Sequence, residues 1–410
     1  MSQASDILIW QSFGRSARRS ECHLRNSSAS LSSRSIDPRQ EDIGAVKPDQ
    51  RFVGQSKEFW AHVRTISQEV GYVVKARTSN KSTRQPREPA PVKVPSIQEV
   101  TDALGLLNLN SDHVVNAHTK QLTSFGDALL AYFGYRAEVL NTSVASHLMT
   151  VSDARQTFLE HYQLLSPECY IPMNRQRGDK KTPQFFTGII NMLVEANAAE
   201  LPVDYNPGAL TTVTRDNVPV RTLSRRVDGA FTSTVNPIAI WEVKEYYYTT
   251  TFGSRVADGV YETLLDGMEL EELRTIRQID VQHLLMVDDH FTWWICGRSY
   301  LCRIIDMLHM GYIDEVLFGS EVLQRLPTIV NEWVARVRAN PALVRSKPRT
   351  VEQARSQTKT RAEVNRWVET ALQHPEQVAD ESEVRETPED DGTDGDSNVD
   401  IVGELNRGDE

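Results

Sequence analysis

The sequence is poor in cysteine and has no long apolar run. Its 410 residues include four cysteines, Cys22, Cys169, Cys296 and Cys302, and none forms a pair with metal-ligand spacing. A disulfide framework is therefore not indicated, and a reducing compartment is expected. No stretch approaches the length of a membrane span, and residues 7–10 are too few for the core of a signal peptide. We expect a soluble cytoplasmic protein without a membrane partner.

Signatures of nucleotide and zinc binding are missing as well. The chain has no glycine-rich phosphate loop and no cysteine–histidine cluster. His283 and His290 flank Asp288-Asp289, but such a strand end is more typical of a solvated loop than of a metal site. Any site must therefore be built from other residue types.

The negative charge of the chain belongs to one end. The formal net charge is -11, yet residues 375–410 alone hold fourteen acids against two arginines, a net of -12. Residues 1–374 are therefore near +1, and residues 1–94 hold sixteen Lys and Arg against nine acids. The body of the protein can carry a basic face, so a nucleic-acid partner is not excluded.

Composition and periodicity divide the chain into six segments. The Ser- and Arg-rich start either contacts nucleic-acid phosphates or is a solvated leader, and the acidic end cannot fold alone. The expected order is a disordered basic arm (1–50), a short helix and strand with a Pro-rich basic linker (51–94), a helical region (95–170), an α/β core (171–345), a C-terminal helix (346–374) and a disordered acidic tail (375–410).

The helical region is indicated by helix-start signals and apolar spacing. Ser96 followed by Glu99 predicts a capping box at the start of a helix over 97–107. This region is either a DNA-reading subdomain or a layer for packing or dimerisation, and both interpretations stay open here.

The core segment shows strands first and then an alternation of helices and strands. Pro183 opens a helix to about residue 199, and strand-like runs follow at 209–214, 218–223, 226–232 and 238–248, with a turn at Asp216-Asn217. Helices at 255–265, 291–310 and 321–339 alternate with strands at 283–287 and 315–318. This pattern predicts an α/β fold, a mixed central sheet with helices on both faces.

An apolar strand with a charged end is the best candidate site. Residues 238–244 are an apolar run that carries Glu242 and Lys244 two residues apart, so both charges share one face of the strand. Buried charges must be paired, solvated or bound to a metal. Asp228 lies in the preceding strand, and a hairpin would bring both carboxylates to one sheet end.

Two hard oxygen donors, with a backbone carbonyl from Val243, suit Mg²⁺ or Mn²⁺. Such an ion lowers the pKa of a water and stabilises charge on a phosphate. Lys244 at the same point can orient or deprotonate that water and offset the charge of the transition state. The residues therefore indicate phosphodiester hydrolysis.

This arrangement resembles the PD-(D/E)xK nuclease superfamily, which has a restriction-endonuclease-like fold. The match covers residues 183 to about 320, with Val227 at the variable Pro position. By position, the resemblance implies Asp228 and Glu242 as metal ligands, Lys244 as the catalytic lysine and Glu195 of the first core helix as a further ligand. It implies a Mg²⁺-dependent endodeoxyribonuclease with a restriction or phage-defence role. The helical region before the core would help to bind DNA or, in a homodimer, the second subunit.

The short motif has limited specificity. An acid-x-Lys triplet is expected about once by chance in a chain of this size, and Asp179-Lys180-Lys181 is a second copy with no strand around it. The sheet context favours the copy at Glu242. The alternatives are a nuclease-like fold that binds without cutting and an interaction protein with an autoinhibitory acidic tail. The loop of Arg175, Arg177, Lys180 and Lys181 is the candidate DNA-phosphate contact.

Overall fold

The computed structural model describes residues 46–74, 90–176, 181–247, 254–344 and 351–375. These residues belong to one compact unit, Gly44–Glu410. Most of the predicted basic arm, most of the Pro-rich linker and almost all of the acidic tail lie outside the described residues. Among the described helices, none combines the length and the apolar character that a membrane span needs.

A mixed sheet lies at the centre of the described chain. The strands are β1 (Val203–Asp204), β2 (Thr212–Arg215), β3 (Val218–Thr222), β4 (Gly229–Phe231), β5 (Ala239–Glu245), β6 (Gln282–Asp288) and β7 (Glu315–Phe318). Five of them form one sheet in the order β1-β4-β5-β6-β7. β1, β4 and β5 pair antiparallel, whereas β5, β6 and β7 pair parallel. The predicted mixed sheet is confirmed.

The remaining two strands, β2 and β3, form a separate hairpin. Asp216 and Asn217 at its turn both have positive φ, at 52° and 62°. Asp and Asn tolerate this conformation, which a two-residue hairpin turn requires, so the turn predicted at this dipeptide is confirmed.

Helices surround the sheet and form the region before it. They are α1 (Lys57–Val70), α2 (Ile97–Leu106), α3 (Ser124–Val139), α4 (Ala145–His147), α5 (Val151–Leu165), α6 (Phe185–Asn197), α7 (Ser254–Arg277), α8 (Arg298–His309), α9 (Val322–Ala339) and α10 (Val351–Gln373). The helical region before the core is therefore present as predicted.

Local sequence signals account for the start of α2. The Ser96 side chain accepts from the Glu99 N–H, and the Glu99 carboxylate accepts from the Ser96 N–H at 2.9 Å. Both groups satisfy backbone donors that a helix start leaves unpaired, so the predicted capping box is confirmed.

Two predicted helices have other bounds in the structure. The helix predicted over 291–310 is broken at Gly297, because residues His290–Cys296 wind as a π-helix before α8 begins. The helix predicted over 255–265 continues to Arg277, since apolar residues of its later turns, including Leu270 and Leu273, pack under the sheet with Ile240.

Each face of the sheet has its own apolar cluster. On one face, Phe231 and Trp241 pack with α6 and α9, and the Trp241 and Trp333 rings stack at 6.0 Å between centroids. On the other face, Leu285 and Val316 pack with residues of α3 and α8. Helices therefore cover both faces, as the pattern of the sequence predicted.

The helical region before the core packs directly on the core. Arg136 of α3 forms a buried salt bridge with Asp306 of α8 at 3.0 Å, and the Tyr132 hydroxyl donates to the same carboxylate at 2.5 Å. The contacts show that this region packs on the core, and a DNA-reading role of the same region stays a prediction.

Candidate active site

The hairpin of β4 and β5 brings the two predicted carboxylates together. Gly229 pairs with Trp241, so the preceding residue Asp228 lies beside Glu242. The Asp228 N–H donates to the Trp241 carbonyl at 3.1 Å, and its Oδ2 accepts from the Val243 N–H at 2.9 Å. These two bonds fix Asp228 against β5, in the register that the candidate site requires.

Close packing between Gly229 and Trp241 sets the orientation of β5. A Cβ atom at Gly229 would lie 2.0 Å from the Trp241 indole, so the ring needs a residue without a side chain opposite it. Because side chains alternate along a strand, Trp241 on one face leaves Glu242 and Lys244 to the other.

Glu242 is completely buried, with a relative exposure of 0%. Its Oε2 accepts from Arg225 Nη2 at 2.9 Å and from Lys244 Nζ at 3.0 Å. Burial opposes ionisation, but the charges of Lys244 and Arg225 outweigh it and hold the pKa of Glu242 below its ordinary value. Glu242 is therefore an ionised carboxylate inside the protein.

The second oxygen of Glu242 has no hydrogen-bond partner among the described residues, although it is buried. An unpaired buried polar atom costs about 1–3 kcal/mol, and more when the group is charged. The site thus contains an acceptor that the fold itself does not satisfy.

Lys244 completes the predicted triad of side chains. Its Nζ contacts Glu242 and also Glu262 of α7 at 3.2 Å. Burial disfavours the charged amine, but Glu242 and Asp228 raise its pKa above the ordinary value. Lys244 is therefore an ammonium at neutral pH, which suits it to stabilise negative charge rather than to take a proton.

Gly259 of α7 makes room for the lysine. A Cβ atom at this position would lie 3.2 Å from Lys244 Cδ and 2.6 Å from the Tyr246 hydroxyl. The absence of a side chain at Gly259 therefore lets the Lys244 stem pass between β5 and α7.

Sequence reasoning missed three charged residues that complete the cluster. Arg225, in the loop before β4, donates through Nη1 to Asp266 of α7 at 2.5 Å, and Glu262 accepts from Arg225 Nη2 at 3.2 Å. Glu262, Asp266 and Glu269 are spaced by four and three residues, which places them on one face of α7. That spacing is the signal in the sequence for Glu262 and Asp266.

Asp266 resembles Glu242 in its surroundings. It is completely buried, and its Oδ1 has no hydrogen-bond partner in the described part of the chain. Burial raises its pKa to about 7, with a further contribution from Glu242, while Arg225 acts in the opposite direction. Asp266 is therefore charged only in part near neutral pH.

Asp228 differs because its side chain is exposed to solvent on one side. Loss of hydration on its protein side raises its pKa to about 6, and the neighbouring Glu242 adds to the rise, against Lys244 and the Val243 N–H. Asp228 and the 45% exposed Glu262 side chain are therefore the carboxylates of the cluster that solvent reaches.

The cluster carries more negative than positive charge and offers hard oxygen donors, which suit Mg²⁺ or Mn²⁺. The described residues nevertheless contain no group of three or more His, Cys, Asp or Glu side chains placed to share a metal ion. Arg225 and Lys244 are hydrogen-bonded between the carboxylates instead. The six charged groups of the cluster are the carboxylates of Asp228, Glu242, Glu262 and Asp266 and the cations of Arg225 and Lys244. When all six are ionised, the cluster has a net charge of -2.

Glu195, the further metal ligand implied by the resemblance, does not join this cluster. It lies beside Glu168 and Cys169, and its Oε2 accepts from the Glu168 N–H at 2.9 Å. The start of α6 is what meets the end of β5, where the Thr187 N–H donates to Glu245 at 2.6 Å. Glu195 is two turns further on, about 12 Å along the helix axis.

The predicted DNA-contact loop is only partly described. Arg175 is exposed, whereas Lys181 forms an ion pair with Glu363 of α10 at 2.6 Å. Arg177 and Lys180 lie outside the described residues. A phosphate contact by this loop stays a prediction, best supported at Arg175.

Two segments of the chain match known families. Residues 149–333, which include the whole sheet and the cluster, match a domain of unknown function (DUF7687). Residues 46–143, which include α1 to α3, match a second domain of unknown function (DUF7690). No curated protein and no solved structure matches the chain.

Proposed function

We propose that the protein is a divalent-cation-dependent endonuclease that hydrolyses DNA phosphodiester bonds, with Asp228, Glu242 and Lys244 at its centre. The observation that supports this proposal most is the buried, ionised Glu242 with an unpaired oxygen, next to Asp228 and Lys244 on paired strands. A restriction or phage-defence role follows from the same resemblance and belongs to the proposal, as does a homodimer in which the helical region contacts the second subunit.

The order of elements supports the proposed restriction-endonuclease-like fold. A helix, α6, precedes the antiparallel strands that carry Asp228 and Glu242, and α7 leads to the parallel strand β6. The sequence resemblance implies this same succession. The proposed fold would place the substrate backbone across the exposed side of Asp228.

Each side chain has a distinct part in the proposed reaction. Asp228 and Glu242 would hold the cation, which lowers the pKa of a bound water and stabilises charge on the phosphate. Lys244, an ammonium that donates hydrogen bonds to Glu242 and Glu262, would orient the attacking water and offset charge that develops on the phosphoryl oxygens. Arg175 is the candidate contact to a neighbouring DNA phosphate.

A plasmid assay tests the proposal. Supercoiled DNA is incubated with Mg²⁺ and wild-type protein, Asp228→Asn, Lys244→Met or Glu271→Gln, a matched change on α7. The first two variants should lose about 10²-fold or more of the nicking rate, while Glu271→Gln retains it. Equal nicking by wild type and by both site variants, with circular dichroism showing folded protein, would reject the proposal.

A second candidate function is a nuclease-like protein that binds nucleic acid without cutting it. One observation favours it: the Arg225 guanidinium already bridges Glu242 and Asp266, so the carboxylates have a cation of their own. Mn²⁺ titration separates the two, because a binding module should take up no ion that depends on Glu242. Deletion of residues 375–410 tests whether the tail is autoinhibitory. If it is, the deletion should raise DNA affinity at low salt.

A further inference from the structure

Arg225 occupies the middle of the acidic cluster. Its Nη2 donates to Glu242 at 2.9 Å and to Glu262 at 3.2 Å, while its Nη1 donates to Asp266 at 2.5 Å. One guanidinium therefore binds carboxylates from two elements, β5 and α7. Because its two terminal nitrogens are bonded to one carbon of a planar group, these oxygens are held close to one point.

Arg225 does not provide hydrogen bonds to all the oxygens of the carboxylates that it bridges. Glu242 and Asp266 each use one oxygen for the guanidinium and leave the other buried without a partner. A cation that binds several oxygens at short distance can use such acceptors, whereas a planar guanidinium offers its donors in a fixed fork. The unpaired oxygens thus point to an occupant other than Arg225.

We propose that Arg225 is an internal cation that holds the place of a divalent ion, and that Asp266 of α7 becomes a ligand of that ion when Arg225 withdraws. The inference rests on the proposed function and adds to it a ligand that replaces Glu195. It also explains why the described carboxylates do not form a ready-made metal group: the guanidinium stands between them.

The exchange requires little movement of the backbone. The loop before β4 is fixed to α7 next to Arg225, because the Ser224 N–H and hydroxyl donate to Glu269 at 2.9 and 2.7 Å. The Arg225 side chain is 20% exposed, and its partner Glu262 is 45% exposed. The guanidinium can therefore turn outward towards Glu262 and solvent while the loop stays in place.

Mn²⁺ binding to the full-length, metal-free protein tests the inference directly. Calorimetry or Mn²⁺ electron paramagnetic resonance compares wild type with Arg225→Gln, which removes the internal cation. Mn²⁺ affinity should rise about tenfold or more, because the ion no longer competes with a fixed positive charge. Arg225→Lys keeps the charge and should bind Mn²⁺ close to wild type. Equal or weaker affinity in Arg225→Gln would overturn the competition.

Asp266→Asn tests the ligand. This nearly isosteric change should weaken Mn²⁺ binding about tenfold or more, whereas Glu271→Gln on the same helix should leave it within about twofold. Unchanged Mn²⁺ affinity in Asp266→Asn would exclude Asp266 as a ligand. If Arg225→Gln does not fold, the other two variants decide. The inference is refuted if Arg225→Lys binds Mn²⁺ tenfold more tightly than wild type, or if Asp266→Asn binds it as tightly as wild type.

The same titrations separate this inference from the proposed function. If Asp228→Asn abolishes Mn²⁺ binding while Arg225→Gln and Asp266→Asn both behave as wild type, the metal site stands and the inference fails. If wild type takes up no Mn²⁺ and Arg225→Gln takes up none either, the inference and the proposed metal-dependent function fail together.

Discussion

Removing the Asp306 carboxylate should destabilise the protein strongly, because it would strand a buried positive charge. Arg136 donates to Asp306 at 3.0 and 3.1 Å and to the Ser67 hydroxyl at 3.0 Å. These contacts join α1, α3 and α8. The side chains of Arg136 and Asp306 are only 2% and 4% exposed, so solvent cannot take over the role of the carboxylate.

The expected magnitude follows from that burial. Breaking a buried ion pair by removing one partner costs about 3–5 kcal/mol, since the remaining charge stays desolvated. Asp306→Ala should therefore lose about that much free energy of unfolding. The double variant Arg136→Met with Asp306→Leu should recover most of it, because an apolar pair of similar volume leaves no charge behind. Arg51→Ala, on a pair whose arginine is 64% exposed, should cost at most about 1 kcal/mol.

Urea denaturation monitored by hydrogen exchange would measure both the loss and its extent. Peptides from α3, in the segment matched by one family, and from α8, in the segment matched by the other, should lose protection together in Asp306→Ala. A cost below about 1 kcal/mol would refute the argument. So would exchange that rises in α3 while α8 keeps wild-type protection, because it would show that the two segments unfold as independent domains.

Three further outcomes are expected. Gly259→Ala should slow nicking about tenfold in a folded protein, because its Cβ would crowd Lys244 and the Tyr246 hydroxyl; Gly134→Ala, with nothing within 4 Å, should instead gain up to about 1 kcal/mol of stability and leave nicking unchanged. Burial raises the pKa of Glu321 from 4.5 to about 8, so the folded protein keeps a proton there that the unfolded chain loses, and wild-type stability falls as pH rises through that range. Glu321→Gln lacks this fall, so its stability relative to wild type should grow by about 3 kcal/mol between about pH 6 and pH 9 in urea titrations. A constant difference would contradict the shifted pKa.

The sequence predicted the three charged residues on the strands of the candidate site, but not the residues of the loop and helix that contact them. An apolar run with Glu242 and Lys244 at its end, and Asp228 one hairpin earlier, places three charges by strand alternation and pairing alone. These are local rules, and the structure follows them. Arg225 and Asp266 are 41 residues apart in sequence but bonded, and their contact depends on how α7 crosses the sheet. A charged helix face is usually solvated, so sequence gives such residues little weight.

Glu195 is a residue that was predicted to belong to the site and lies away from it. It lies on the helix that the resemblance implies, and the start of that helix does approach β5 through Thr187 and Glu245. The length of the helix then carries Glu195 away from the sheet end. The type of an element can be predicted from its pattern, but the turn that faces the site depends on packing between Phe185, Ile189 and the core, which single-sequence reasoning does not fix.

Comparison with other buried carboxylates supports a functional origin for the cluster. Asp288 is also completely buried, but it accepts from the Tyr247 hydroxyl and from the N–H groups of Met149 and Asp289, so the fold satisfies it. Glu321 leaves one oxygen unpaired, yet its pKa of about 8 keeps it mostly neutral at pH 7. Glu242 is both ionised and incompletely paired. A fold tolerates that cost where a ligand supplies the missing partner, and this is the argument for seeking a cation at Glu242 rather than at Asp288 or Glu321.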